Sequence, residues 1–346
     1  MAAAVSDKGG APPAPYRPGP RNLITDVPGI RVGHATDEAV RTGVTVILPD
    51  ALRVAAVDLR GGGPATRETE LLASRNLLGR VHALVLSGGS VFGLGAADGV
   101  VAALSAQDCG LRFQAGSPAI PLVPAASLHD LGNGGDKAWG AEPPYRRLGR
   151  DALMAATADF ALGSVGAGRG AMAGIMKGGV GSASLDLGGG LVVGALAAVN
   201  CIGGATMPGT DIFWAWPFEI DGEFGGRRPD TALAMAATEP LPEESRLGGA
   251  GRLELGANTT LAVVATSALL SQGEAERVAV MAQDGMARAV RPSHTPFDGD
   301  LVFAVATERV ALREGLARHR DIARVGAATA DCLTRAIARG VYAAEG

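Results

Sequence analysis

The sequence predicts an α/β protein, and two patterns carry that prediction. Between Asn22 and Val57, short apolar runs alternate with turn residues, which is typical of several short β-strands. From Thr260 onward, an apolar strand, a helix, a second strand and a second helix follow one another. A hydrophobic content of 47% over 346 residues also leaves enough apolar side chains for a large core.

The first part of the chain is predicted to contain short strands followed by a glycine loop. Three glycines precede a proline in Arg60-Gly61-Gly62-Gly63-Pro64, a run that does not fit a regular element. We therefore expect a loop whose backbone approaches another part of the molecule. The strands are expected over Ile30–Val32, Val44–Leu48 and Val54–Val57.

A strand over Val81–Leu86, a turn at Ser87-Gly88-Gly89-Ser90 and a helix over about Gly95–Leu104 are predicted next. The N–H groups of a first helical turn are free, so this junction can hold an anion or an oxyanion. An ordinary sheet-to-helix connection has the same pattern, and both interpretations stay open. Candidate oxyanion or substrate-lining residues are Gly88, Gly89, Ser90 and Phe92.

The middle of the chain is rich in glycine and ends in a polar stretch. We expect a helix over Ala152–Phe160, and then a glycine-rich segment from Gly163 to Gly181 that contains Lys177. A buried strand over Leu191–Val199 ends on Asn200. Residues 207–256 are irregular and rich in proline and glycine, which predicts an exposed, mobile linker.

Regular elements are predicted again after this linker. Ser271 and Glu274 have the spacing of a capping box, which opens a helix ending near Val290. His294 lies in the acidic loop after that helix and is a candidate near-site residue. The remaining elements are a strand over Thr260–Ala265, a loop over Arg291–Asp300, a strand over Leu301–Thr307 and a helix over Asp321–Arg339.

The composition excludes several functional classes. A net charge of −4 leaves no basic stripe for nucleic acid, and no run reaches the ~18 apolar residues of a membrane span. Three cysteines without CxxC spacing argue against a disulfide framework and a zinc knuckle, so we expect a cytoplasmic protein without cofactor or metal. Residues 1–20 lack a continuous apolar segment and are expected to be a disordered leader, not a secretory signal.

The junction Asn258-Thr259-Thr260 precedes an apolar run and is the most informative site. If the bond between Asn258 and Thr259 is cut, Thr259 carries a hydroxyl nucleophile and a free amine on one carbon, which is a complete nucleophile and base. The same letters also form a glycosylation acceptor and an ordinary loop-to-strand boundary. The lack of a secretory signal weakens the glycosylation interpretation.

Further segments of the chain carry a family resemblance. They are Thr25 to His34, Arg60 to Thr69, Leu86 to Ser90, Lys177 to Gly181, Asn258 to Thr260 and His294 to Asp300. With these segments in this order, the chain resembles the self-processing L-aminopeptidase/D-amidase hydrolases of the DmpA type. That family includes β-peptidyl aminopeptidases and nylon-oligomer hydrolases. The resemblance runs from about Asn22 to Tyr342.

The resemblance implies a four-layer α/β/β/α sandwich of the N-terminal-nucleophile type, shared with ornithine acetyltransferases. It implies that the precursor cuts itself into an α fragment, residues 21–258, and a β fragment, residues 259–346, which together form one structural domain. It also implies a homo-oligomer, as a tetramer. No nucleic acid or membrane partner is expected beside a small peptide or amide substrate.

The resemblance also implies roles for individual residues. Thr259 is the expected nucleophile, Asn200 an oxyanion-side amide, Lys177 a nearby cation, and Asp298 and Asp300 acidic or hydroxyl partners. From the charge of the two carboxylates we further expect them to bind the ammonium group of a substrate. At position 92 some relatives carry tyrosine. Because Phe92 has no hydroxyl, either Asn200 or backbone N–H groups must hold the oxyanion in this chain.

The expected reaction is hydrolysis of an amide through an ester on Thr259. The substrate is a short peptide or a linear amide with a free amino end, and β-residues, D-residues and aminohexanoate oligomers all stay open. Two alternatives come from other classes: an acyltransferase like the ornithine acetyltransferases, and a binding protein without catalytic activity.

Overall fold

The computed structural model describes residues 16–230, 241, 243, 245–246 and 258–345. Most of the predicted leader and residues 231–240 of the predicted linker therefore lie outside the described residues. Residues 207–230 of that linker are described, and the prediction that they are exposed is wrong in part, because Met207, Phe213 and Phe224 are buried in the core. The strands are β1 (Ile30–Asp37), β2 (Thr42–Pro49), β3 (Arg53–Leu59), β4 (Ala65–Arg67), β5 (Arg80–Val81), β6 (Leu84–Ser87), β7 (Ala125–Ser127), β8 (Met172–Ala173), β9 (Met176–Lys177), β10 (Gly179–Asp186), β11 (Val192–Asn200), β12 (Thr259–Ala268) and β13 (Leu301–Val310). The α-helices are α1 (Ala96–Ala106), α2 (Tyr145–Met154), α3 (Gln272–Ala289) and α4 (Leu316–Glu345).

Two sheets form the centre of the protein. The first has five strands in the order β1-β2-β6-β7-β4, and the second has six in the order β10-β11-β12-β13-β3-β5. Strand β12 lies antiparallel to β11 and parallel to β13. Helix α3 makes the crossover that two parallel neighbours require. The strand that begins with Thr259 is therefore an inner strand of the larger sheet.

Three apolar clusters separate four layers. Ile47 of β2 and Phe303 of β13 belong to a cluster between the two sheets. The adjacent residue of β2, Val46, points to the opposite face of the sheet, because side chains alternate between the faces of a strand. It belongs to a second cluster, together with Val100 of α1. Leu333 of α4 lies in a third cluster, with residues of α3 and the larger sheet. The predicted α/β/β/α sandwich is confirmed.

The capping box predicted at the start of α3 is present. The hydroxyl of Ser271 accepts a hydrogen bond from the N–H of Glu274, and the Glu274 carboxylate accepts one from the N–H of Ser271 at 2.8 Å. Arg318 of α4 donates to the same carboxylate at 2.6 Å and lowers the pKa of Glu274 to about 2. The pairing joins the first turns of the two helices that cover the larger sheet.

Two helix predictions differ from the structure. Helix α2 ends before most of the predicted Ala152–Phe160 segment, because Thr157 pairs with Val32 of β1 through two backbone hydrogen bonds of 2.9 and 3.0 Å. Helix α4 is 30 residues long, which is longer than predicted at both ends. Within the described ranges, no helix is both long enough and apolar enough to cross a bilayer.

A buried ion cluster joins α4 to Glu223. The guanidinium of Arg335, 1% exposed, donates to the carboxylate of Glu223 at 2.5 and 2.9 Å and to the carbonyl of Ser184 at 3.0 Å. Asn22 donates to the same carboxylate at 2.7 Å, and Arg339 lies 3.4 Å from it. Four separate segments of the chain meet in this cluster.

Candidate active site

The start of β12 brings together the residues on either side of the predicted cut. Thr259 pairs with Asn200 at the end of β11, and Asn258 forms a parallel bridge with Asp298. All four residues are buried, with Thr259 2% exposed and Asn200 fully buried. Burial of Asn258 makes this asparagine inaccessible for glycosylation in the folded chain. Two predicted site residues, Asn200 and Asp298, thus lie beside the bond between Asn258 and Thr259.

The carbonyl of Asn258 has two donors. The N–H of Gly299 donates to its oxygen at 2.9 Å, and the hydroxyl of Thr259 donates to the same oxygen. A β-carbon at position 299 would lie 2.6 Å from Oγ1 of Thr259 and 3.0 Å from the carbonyl oxygen of Gly63. Glycine is therefore required where this backbone approaches the hydroxyl.

The carboxylate of Asp300 joins β12 to the loop that follows α3. Its Oδ1 accepts a hydrogen bond from the N–H of Thr260 at 2.7 Å. Its Oδ2 accepts one from the N–H of His294 at 2.9 Å and lies 3.0 Å from Nδ1 of the same residue. Nε2 of His294 is buried and has no partner within the described part of the chain. His294 is thus bound to the site through Asp300.

Asp298 has a different set of donors. Its Oδ2 accepts hydrogen bonds from the N–H and the hydroxyl of Thr295 at 3.0 and 2.7 Å, and its Oδ1 accepts one from the N–H of Ile202 at 3.3 Å. Burial, and then the charge of Asp300, raise the pKa of the Asp298 carboxyl to about 6. Both aspartates thus have partners within the protein in addition to the role predicted for them.

The raised pKa of Asp298 predicts a pH-dependent stability difference. An unfolded aspartate titrates near ~3.9, so between about pH 4 and pH 6 the unfolded chain ionises while folded Asp298 stays protonated. The folded state then loses stability on the order of 3 kcal/mol, and above about pH 6 the loss is constant. In uncut Thr259→Ala protein, urea unfolding at pH 4 and pH 7 should show this change relative to Asp298→Asn, which does not titrate. A pH-independent difference between the two proteins would contradict it.

Asn200 is held by three segments. Its amide group donates to the carbonyl of His129 at 3.1 Å, and its Oδ1 accepts a hydrogen bond from the N–H of Met172 at 2.9 Å. Nη2 of Arg246 lies 3.3 Å from the same oxygen. These contacts fix the orientation of the Asn200 side chain beside the start of β12.

The guanidinium of Arg246 contacts the residues around the start of β12. Its Nη1 donates to Oδ1 of Asn258 at 2.6 Å, and its Nη2 and Nε donate to the carbonyls of Met172 and Gly174 at 3.2 and 3.3 Å. Burial lowers the pKa of Arg246. Sequence reasoning missed this residue, because Arg246 lies in the polar stretch predicted to be a linker and no motif marks it.

Lys177 lies away from the residues around the start of β12. Its side chain is exposed, and its ammonium group lies 3.5 Å from the carbonyl of Ala344 near the end of α4. Lys177 lines a cavity of about 480 Å³ together with Met172 and two arginines, Arg41 and Arg169. The cation expected beside the nucleophile is thus replaced in the structure by Arg246.

The glycine turn before α1 is organised by a buried carboxylate. Asp130, fully buried, accepts hydrogen bonds from the N–H of Gly89 at 2.8 Å and the hydroxyl of Thr42 at 2.6 Å. A β-carbon at Gly88 would lie 2.2 Å from the same carboxylate. These contacts give the turn a structural role.

The side chains that follow this turn have other neighbours. The N–H of Ser90 donates to the carbonyl of Leu128 at 2.9 Å. The ring of Phe92 is 46% exposed and lies edge-on to Trp139, with 5.8 Å between centroids. The connection from this turn to the start of β12 is indirect, through the carbonyl of His129 that binds Asn200.

The predicted glycine loop approaches the acidic loop, as its sequence indicated. The N–H groups of Gly61 and Gly63 donate to the carbonyls of Asp300 and Asp298 at 3.1 and 2.8 Å. A β-carbon at Gly61 would lie 2.2 Å from the nitrogen of Asp300. The loop thus fixes the backbone on which the two carboxylates and the Gly299 donor are placed.

The chain matches a known protein family over most of its length. The model of peptidase family S58 matches residues 22–346. The chain belongs to peptidase family S58. This membership confirms the resemblance to the self-processing aminopeptidase and amidase hydrolases that the sequence motifs indicated.

Two relatives are similar to this chain over most of their length. The chain is 43% identical over 339 residues to an uncharacterised aminopeptidase of Mycobacterium tuberculosis, covering 94% of both chains. It is 31% identical over 308 residues to a 6-aminohexanoate-oligomer endohydrolase of Kocuria, covering 85% of this chain and 77% of the relative.

Solved structures agree on the fold of this S58 chain. A β-aminopeptidase of Burkholderia has a TM-score of 0.68 at 26% identity, covering 94% of this chain and 88% of the other. An L-aminopeptidase D-Ala-esterase/amidase of Ochrobactrum anthropi, described as a variant of the N-terminal-nucleophile hydrolase fold, has a TM-score of 0.68 at 22% identity, with coverages of 96% and 89%. The S58 chain therefore has that variant of the fold.

Proposed function

We propose that the chain is a self-cleaving N-terminal-nucleophile hydrolase that cuts its bond between Asn258 and Thr259 and then hydrolyses amides of short peptides. The proposal rests on the contacts of the Asn258 carbonyl. The hydroxyl that attacks it lies against its oxygen, and the Gly299 N–H donates to that oxygen at 2.9 Å. Nucleophile and oxyanion donor thus meet at one peptide bond.

Self-cleavage proceeds in two steps. Oγ1 of Thr259 bonds to the carbonyl carbon of Asn258, negative charge develops on the carbonyl oxygen, and the N–H of Gly299 stabilises it. The C–N bond then breaks, the hydroxyl proton goes to the nitrogen, and an ester and a free amine result. Water attacks the ester and the C–O bond breaks. One proton of the water goes to Oγ1 and the other to solvent, and the products are a carboxylate on Asn258 and a hydroxyl on Thr259.

After the cut, the new amine of Thr259 serves as the general base. The reference pKa of an α-amino group is ~7.7 to 8.0, close to what a base requires at neutral pH. The positive charge of Arg246 favours the neutral amine, whereas the carboxylates of Asp298 and Asp300 oppose this effect. An amide substrate follows the same two steps, with the acyl group carried on Thr259.

The relatives guide the choice of substrate. The mycobacterial relative is named an aminopeptidase, and the solved structures bear aminopeptidase names. The buried pair Asp298 and Asp300 supports binding of an ammonium group, because opposite charges attract strongly where water is excluded. We therefore assign amides with a free amino end as substrates, with acyl transfer to water.

Intact mass under denaturing conditions tests this function. Wild-type protein should give two fragments, the second beginning at Thr259, and Thr259→Ala should give one intact and inactive chain. Thr260→Val is the matched control, because its hydroxyl is buried without a partner among the described residues. This variant should be cut and active.

Three outcomes would change the assignment. An uncut wild-type chain with full peptidase activity removes the self-cleavage mechanism. A second fragment that begins at Thr260 moves the nucleophile by one residue. Transfer of the acyl group to an added amine in preference to water identifies an acyltransferase.

A further inference from the structure

We propose that Arg246, with Asn200, forms the subsite for the side chain of the acyl residue, and that this subsite selects side chains with a carbonyl oxygen. The inference rests on the proposed function. In the uncut chain, Asn258 supplies the carbonyl that Thr259 attacks, so Asn258 takes the place of the acyl residue of a substrate. Its side chain therefore marks where the side chain of that residue binds.

The contact at this place is specific. Nη1 of Arg246 donates to Oδ1 of Asn258 at 2.6 Å, and Asn258 is 4% exposed. Nη2 of the same guanidinium lies 3.3 Å from Oδ1 of Asn200, which is fully buried. The guanidinium thus joins the side chain of the acyl residue to a fixed residue of β11.

Arg246 is anchored independently of the residue that it binds. Its N–H donates to the carbonyl of Ile202 at 2.8 Å, and its guanidinium donates to the carbonyls of Met172 and Gly174. None of these acceptors belongs to residues 247–258. The subsite therefore keeps its geometry after the cut, when Asn258 can leave it.

The chemistry of the guanidinium sets the preference. Arginine has five N–H donors and no acceptor, so it binds carbonyl and carboxylate oxygens in a fixed geometry. An aliphatic side chain at this place would remove the oxygen to which Nη1 of the buried guanidinium donates at 2.6 Å. A site built for hydrogen bonding rejects a side chain that lacks the required acceptor. The preferred substrates are thus amides whose acyl residue is asparagine-like or aspartate-like. An unbranched aminohexanoyl unit has no side-chain carbonyl and is disfavoured.

Self-cleavage rates of variants test the subsite without any added substrate. The chains are made by cell-free synthesis, and the uncut fraction is followed by mass. Asn258→Leu, which removes the carbonyl and keeps a branched side chain of similar size, should slow the cut at least about 10-fold. Asn258→Asp should stay within about 3-fold, because a carboxylate also accepts from arginine. Arg246→Met should slow the Asn258 chain but add no further slowing to Asn258→Leu.

Hydrolysis by the mature enzyme is the second measurement. Anilides of asparagine, aspartate, leucine and alanine are compared by kcat/KM, with alanine as the small reference. We expect asparagine over leucine by about 10- to 100-fold in the wild type, and loss of this ratio in Arg246→Met. Circular dichroism and Tm establish that each variant folds. If Arg246→Met does not fold, the Asn258 series alone decides.

The outcomes separate the two proposals. Equal cutting of Asn258→Leu and wild type, or a leucine preference that Arg246→Met leaves unchanged, overturns the subsite while the proposed function stands. A wild-type chain that is neither cut nor active overturns the proposed function, and the subsite with it.

Discussion

Replacing Gly299 with alanine should slow self-cleavage by about 10² to 10³-fold, the effect of losing one oxyanion donor. The added β-carbon would lie 2.6 Å from Oγ1 of Thr259 and 3.0 Å from the carbonyl of Gly63, which are contacts that the native backbone cannot accept unchanged. Relief of these contacts displaces the nucleophile, the Gly299 N–H or both. The measurement is the rate at which uncut chain disappears after cell-free synthesis.

Gly273→Ala is the matched control for this substitution. Gly273 lies in the first turn of α3, and a β-carbon there meets nothing within 4 Å. Alanine has the higher helix propensity, so this variant should be cut at the wild-type rate with equal or higher stability. Cutting of Gly299→Ala at the wild-type rate would show that the Gly299 N–H does not stabilise the oxyanion.

Replacing Glu223 with alanine should destabilise the chain by about 3 to 5 kcal/mol, the usual effect of leaving a buried charge without its partner. Arg335 is 1% exposed, and its guanidinium forms two hydrogen bonds with the Glu223 carboxylate. Arg339 lies 3.4 Å from the same carboxylate and would lose this charged neighbour, while it keeps its hydrogen bonds to the carbonyls of Asn22 and Ser182. Urea unfolding of uncut Thr259→Ala protein, with and without the substitution, measures the change.

The exposed pair of Arg75 and Glu70 provides the comparison. Its atoms are 2.6 Å apart, but the side chains are 74% and 81% exposed. Glu70→Ala should change stability by less than ~1 kcal/mol, because exposed pairs are screened by water. If Glu223→Ala were no more destabilising than Glu70→Ala, the buried cluster would not hold α4 to the rest of the fold.

The order of the elements could be predicted from the sequence because it depends on local patterns. Strand β12 and helix α3 follow directly from apolar periodicity and from the Ser271 capping box. The misplaced α2 shows the limit of this approach. Its end is set by the pairing of Thr157 with Val32, two residues far apart in the chain.

Some residues of the candidate site could likewise be predicted from the sequence, and others could not. Thr259, Asp298 and Asp300 lie in recognisable motifs, and Asn200 ends a predicted strand. The structure brings these residues together. Arg246 carries no motif and enters the site only because the fold places it against Asn200 and Asn258. Lys177 carries a motif, yet its side chain lies at the end of α4.

By itself, the sequence determined the nucleophile candidate, the alternation of strands and helices, and the family motifs, because each of these depends on residues that are neighbours in the chain. Only the tertiary structure decided which groups contact the backbone carbonyl and the side chain of Asn258. The Gly299 N–H and the Arg246 guanidinium come from segments that follow different strands of one sheet. Hydrogen-bond geometry depends on distances between such segments, and local sequence patterns do not specify those distances.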